Sequence, residues 1–242
     1  MSGRTVTPPY HVTNAYESFL EEFRKAVEGR NGQVLPLFVP LGSCFRESSD
    51  SGSVDFTICL YLKGCPCKRL PHGKRLDVVI KALETLDKSS WSLMRSSVYL
   101  NYFVAVDSMC QLVQSLHYDF VDGGQANHPF FHVQLTDESM PEGDLRSVGF
   151  ELQLDVSEEP SQCWVDTRIP TPDMTLASVL YCLVADHLAE IFSQFAESVD
   201  AVQDRLPTLR FEALTKSLQK SSLHFKSSHW FAHMRLPTEQ ES

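Results

Sequence analysis

The sequence predicts an α+β fold, an antiparallel sheet flanked by helices from the N- and C-terminal parts of the chain. Three observations lead there. Val54, Phe56, Ile58, Leu60 and Leu62 alternate with Asp55, Thr57, Cys59 and Tyr61, the period-two signature of a strand with one buried face. Further strand-like runs at 96–106, 111–121, 128–135, 148–155 and 163–168 follow with short connections, which reads as a meander. Helical periodicity sits at the two ends: Tyr16, Phe19, Leu20, Phe23 and Val27 near the start, and Leu176, Leu180, Leu183, Val184, Leu188, Ile191, Phe192 and Phe195 towards the end. Helices and strands segregated in this way pack as layers around one core.

Each element has a local reason. Residues 1–12 read as a flexible lead-in. Asn14 and Glu17 form a possible capping box for the first helix, each side chain serving an amide left open by the first turn. Gly29 and Gly32 stop it. Residues 33–39 allow a short strand, interrupted by Pro36, and 48–53 is a polar turn. After the alternating strand comes a basic loop over 63–75, and then Leu76, Val79, Ile80 and Leu83 predict a helix ending near Asp87. Asp122-Gly123-Gly124 marks a hairpin, because glycine takes positive φ at no steric cost. Thr171-Pro172-Asp173 opens the best helix, with a capping hydroxyl, a proline suited to the first helical position and an acid at the positive end of the dipole. A last helix is expected over 206–222, with Phe211, Leu214 and Leu218 inward. These elements divide the chain into a lead-in, one domain over 13–200, and a C-terminal helix with a basic, aromatic tail over 201–242.

Composition narrows the functional classes. The 242 residues are 43% hydrophobic and 21% charged, which argues against wholesale disorder. The net charge of -10 opposes general attraction to nucleic acid or an anionic membrane. The charge is uneven. Lys63, Lys68, Arg69, Lys74 and Arg75 form a run without an acid, and Arg205, Arg210, Lys216, Lys220, Lys226 and Arg235 face Glu212 alone. Such segments fit a polyanion, an acidic protein partner, or the acidic body of the chain itself. The cysteine count is seven, an odd number, and Cys59 and Cys182 sit in strand and helix patterns where a free thiol acts as a small hydrophobe. Residues 1–12 hold no apolar run, and no stretch reaches the roughly 18 apolar residues of a membrane span. A reducing, cytoplasmic setting without a membrane is the expectation.

The densest polar constellation is His117-Tyr118-Asp119, followed across the predicted turn by His128-Pro129-Phe130-Phe131-His132-Val133-Gln134. Period-two geometry places His117 and Asp119 on one face, and His128, His132 and Gln134 on one face of the next strand. Positions equidistant from the turn are opposite each other, so the two sets meet. Imidazoles and a carboxylate on one sheet face have the chemistry to hold a divalent metal at His117, Asp119, His128 and His132. His117, Asp119 and His132 equally have the chemistry of a general base with its orienting acid. The same residues also serve as hydrogen-bonded structural histidines. The order departs from the HxHxH pattern of histidine-triad nucleotide hydrolases and from the paired HxT/S motifs of two-histidine phosphoesterases.

Other motifs are weaker. Cys65-Pro66-Cys67 with His72 lacks a second cysteine pair of zinc-site spacing, leaving Cys110 and Cys163 as ligands only by a coincidence of folding. Lys63, Lys68 and Arg69 favour a thiolate at Cys67. His187, beside Asp186, reads as a core histidine. Gly123-Gly124 lacks the lysine and spacing of a phosphate loop, and no serine sits in G-x-S-x-G. The tail around His229, Trp230, Phe231 and His233 mixes aromatics with cations, a combination that stacks on bases, packs on a core or docks on a protein.

Tyr99 to Tyr102, His117-Tyr118-Asp119, His128-Pro129-x-x-His132-x-Gln134 and Arg168-Ile169-Pro170-Thr171-Pro172-x-Met174 together resemble a pattern in small uncharacterised prokaryotic proteins of accessory or defence gene clusters. The resemblance covers roughly a third of the chain and implies a biological setting without assigning a catalytic residue.

Three functions are compatible with these residues. One is a non-catalytic intracellular component of a multiprotein assembly, docking through Lys68, Arg69, Lys74, Arg75, Lys216, Lys220, Lys226 and Trp230. Another is a metal-dependent nuclease or phosphodiesterase, whose ion lowers the pKa of a bound water while basic segments hold the phosphate backbone. The last is a nucleic-acid-binding module without chemistry.

Overall fold

The computed structural model describes residues 3–36, 40–66, 75–106, 109–121, 131–136, 140–150 and 174–207. The chain runs α1 (Tyr10–Glu28), β1 (Gln33–Leu35), β2 (Phe45–Glu47), β3 (Ser53–Pro66), β4 (Arg75–Asp87), β5 (Leu93–Val106), β6 (Met109–Val121), β7 (Phe131–Thr136), α2 (Glu142–Ser147), α3 (Leu176–His187) and α4 (Phe192–Gln203). The strands make one antiparallel sheet in the order β1-β3-β4-β5-β6-β7, with β2 also on β3. This is the predicted α+β class, with α1 from the N-terminal part of the chain and α3 and α4 from the C-terminal part.

The alternation in β3 becomes two different faces. Phe56, Ile58, Leu60 and Leu62 join the main core with Val12, Tyr16, Phe19, Phe23 and Val27 of α1, Leu180 and Leu183 of α3, and Phe195 and Val199 of α4. The Phe195 ring meets Phe19 and Phe23 edge-on, with centroids 6.0 and 6.4 Å apart. The opposite sheet face carries a smaller cluster in which Tyr61, Val79 and Phe103 pack with Met140, Leu145, Val148 and Phe150.

Several sequence expectations are corrected. Residues 75–87 form a strand, not a helix. The positions Leu76, Val79, Ile80 and Leu83 fit a helical spacing, yet Leu76, Val78, Ile80, Ala82 and Leu86 are the buried set on the core face. β4 lies between β3 and β5, and Val79 on its other face is buried too. Burial on both faces erases the alternation that distinguishes a strand. α1 begins at Tyr10, ahead of the proposed capping box; the main-chain carbonyl of Pro9 accepts from Val12 and Thr13, and Asn14 instead accepts from the Tyr10 hydroxyl at 3.3 Å. Residues 4–6 run beside β2. Glu47 N–H donates to Arg4 O at 2.8 Å and Val6 N–H to Phe45 O at 3.0 Å.

The expected strand at 148–155 starts differently. Glu142–Ser147 is helical and Val148–Phe150 closes it, while residues 151–155 and the run at 163–168 lie outside the described residues. The helical cap is Thr175, whose side chain accepts from Ser178 N–H at 3.2 Å; Thr171-Pro172-Asp173 lies outside. The single long helix expected after it is two, α3 and α4, bent by 108° about a short turn at Ala189–Ile191. The bend lets Phe195 reach α1, and no glycine or proline in the sequence announces it. α4 runs on to Gln203. The expected helix at 206–222 lies outside the described residues beyond Pro207.

Candidate functional site

Sheet register decides which polar residues meet. β5, β6 and β7 align in three cross-strand rows: Ser97–Asp119–His132, Tyr99–His117–Gln134 and Asn101–Ser115–Thr136. All lie on the sheet face opposite the main helices, because side chains two apart share a face. The expected meeting of the His117 and Asp119 strand with the His132 and Gln134 strand is therefore present in the backbone. Asp119 stands directly across from His132, and His117 across from Gln134. His132 is described through its strand position alone, and its side chain lies outside the described residues, as does His128 altogether.

The side-chain geometry is specific. Asp119 is 8% exposed, and its Oδ1 accepts the Ser97 hydroxyl. The same oxygen is 2.9 Å from His117 Nε2. The His117 ring lies flat on Tyr99, with centroids 3.8 Å apart and planes 12° from parallel. In the next row Asn101 Nδ2 donates to Ser115 Oγ at 2.7 Å, and Asn101 Oδ1 accepts Met140 N–H at 2.6 Å. Burial raises the pKa of the Tyr99 hydroxyl, and the Asp119 charge adds to that effect.

This arrangement determines what the groups can do. A serine nucleophile needs its hydroxyl proton directed at a base, normally an imidazole. Here the Ser97 proton goes to Asp119, so serine and histidine both converge on the carboxylate. The carboxylate ties β5 to β6 through the Ser97 hydrogen bond, and stacking on Tyr99 holds the imidazole beside it. Sequence reasoning missed Ser97 and Asn101. Their signal was the position of β5 beside β6, which depends on a register shift between Tyr102 and Phe103 that no sequence pattern marks.

The remaining expected site residues are dispersed. Arg75 is exposed, but its Nη1 donates to the main-chain carbonyls of Asn31 and Gly64 at 3.0 and 2.9 Å. It binds the turn after α1 to the end of β3. Lys68, Arg69, Lys74, Lys216, Lys220, Lys226 and Trp230 lie outside the described residues, as do Cys67, His72 and Cys163. Cys65 is buried in the main core, and Cys110 is half-buried with its thiol pushed up by burial. His187 is a core residue, its ring 5.8 Å from that of Tyr102. Among the described residues no three histidines, cysteines or acids group so as to hold a metal ion.

One further polar centre was not foreseen. Glu84 faces the main core and is 2% exposed. Its carboxylate accepts the Tyr16 hydroxyl at 2.5 Å and the Leu176 amide at 2.8 Å. Ser96, its neighbour across the strands, donates to the Met174 carbonyl at 2.9 Å. α1, β4, β5 and the first turn of α3 are tied at this point. A strand reading of 75–87 would have exposed Glu84 as the one acid in an apolar row.

Comparison with protein-family models, with curated proteins and with solved structures gives no match. Among the described residues no single helix is long and apolar enough to cross a membrane.

Proposed function

We propose that the protein is a non-catalytic intracellular component of a multiprotein assembly, of the kind that serves prokaryotic accessory or defence systems. The observation that carries this reading is the direction of the Ser97 proton. With Asp119 engaged by Ser97 and His117, the most catalytic-looking residues act as a buried cross-link between strands. Five described cysteines are free thiols, which suits a reducing compartment. The uneven charge supports docking through the basic segments.

A phosphodiester assay tests the reading. Purified full-length protein with added manganese or zinc should hydrolyse bis-p-nitrophenyl phosphate no faster than its His117→Ala variant. Crosslinking in the source cells should tie Lys88, exposed at the β4–β5 turn, to other polypeptides. Metal-dependent turnover lost in His117→Ala would overturn it.

The hydrolase reading has one observation in its favour, the row that sets Asp119 across from His132. In that reading His117, Asp119, His128 and His132 would hold a divalent ion, which would supply an activated water. The same assay separates the two readings.

A further inference from the structure

We infer that residues 140–150 form a strap over the second face of the sheet that opens as a unit while the rest of the fold stays intact. The strap contains α2 and is held to the sheet by side chains. Lys81 Nζ reaches Asp144 Oδ2 at 2.6 Å, with both side chains partly shielded. Phe150 sits against Tyr61 and Phe103, with ring centroids 5.1 and 4.5 Å apart. Met140 N–H donates to the Asn101 side chain. Leu145 and Val148 complete the small apolar cluster.

The backbone tells the other half. Among the described residues, the strap's bonds from main chain to main chain close on themselves: Asp144 and Leu145 donate to Pro141 O, Val148 and Phe150 to Leu145 O, and Gly149 to Arg146 O. None joins the sheet ladder. Among the described residues, lifting the strap therefore breaks no strand pairing, and it leaves the main core on the far side of the sheet untouched. A six-residue helix does not persist without a surface to pack on, so undocking and melting of α2 are one event. Segments of this kind exchange through sub-global opening at lower free energy than the core. Opening uncovers Tyr61, Val79 and Phe103 next to the Asn101–Ser115 row, which makes the strap a built-in cover for that face.

Native-state hydrogen exchange on the full chain tests this. The amides of Leu145, Val148 and Phe150 should exchange together, and faster than the paired amides of β4 and β5. Lys81→Met should speed those strap amides about fivefold, the scale of one partly shielded ion pair, and leave β4 and β5 unchanged. The charge swap Lys81→Asp with Asp144→Lys should restore protection. Strap amides protected as strongly as β4 and β5, or a uniform rise across all of them in Lys81→Met, would overturn the inference.

Discussion

Ile58→Asp should destabilise the protein by about 3–5 kcal/mol, a large loss for a single substitution. Ile58 is buried in the main core beneath the helices, across from Ala82 of β4, so a carboxylate there is taken out of water. Burying an unpaired charge is costly enough that the group protonates or the strand leaves the core. For a chain of this size each kcal/mol moves the Tm by about 2–4 °C, so the transition should fall by about 10 °C. Thr57→Asp, one residue earlier and exposed, provides the control. It should cost under about 1 kcal/mol, and similar losses in the two variants would contradict the two-faced strand.

Glu84→Ala should cost about 2–5 kcal/mol. The Tyr16 hydroxyl and the Leu176 amide both lose their acceptor in a dry site, and each buried donor left unsatisfied costs about 1–3 kcal/mol. Glu84→Gln keeps an oxygen acceptor at nearly the same place and should lose less. The coupling is checked with Tyr16→Phe, because a hydroxyl bonded to Glu84 makes the double variant less destabilised than the two single losses added together. Additive losses in urea unfolding would remove Glu84 from the role of a tie between α1 and the sheet.

Legibility of the fold followed the physics of one-sided burial. β3 was readable because Phe56, Ile58 and Leu60 face helices while Asp55 and Thr57 do not. β4 was not, because Val79 is buried on the second face beneath the strap, and two buried faces leave an apolar run that also satisfies helical spacing. The α3–α4 bend was invisible for a different reason. It is set by the packing of Phe195 against α1, a contact distant in sequence, and not by a residue that breaks helices.

The site was legible in part. Same-face placement of His117 with Asp119 follows from strand periodicity, and a turn expected near Asp122 set them against residues 128–132; the pairing of His117 with Gln134 depends on the register. The contribution of β5 was not legible. Ser97 lies 22 residues from Asp119, and the register shift between Tyr102 and Phe103 moves the alignment by one position. That missing neighbour matters most for function, since Ser97 is the group that occupies the carboxylate.

The structural role of Asp119 is tested most directly by Asp119→Ala, with urea unfolding and metal content measured on the same preparations. Ser97 loses a buried acceptor, so stability should fall by about 1–3 kcal/mol, with the metal content the same in parent and variant. A parent that carries one divalent ion per chain, lost in Asp119→Ala, together with equal stability of the variant and the metal-stripped parent, would contradict that role and establish a metal centre on β6.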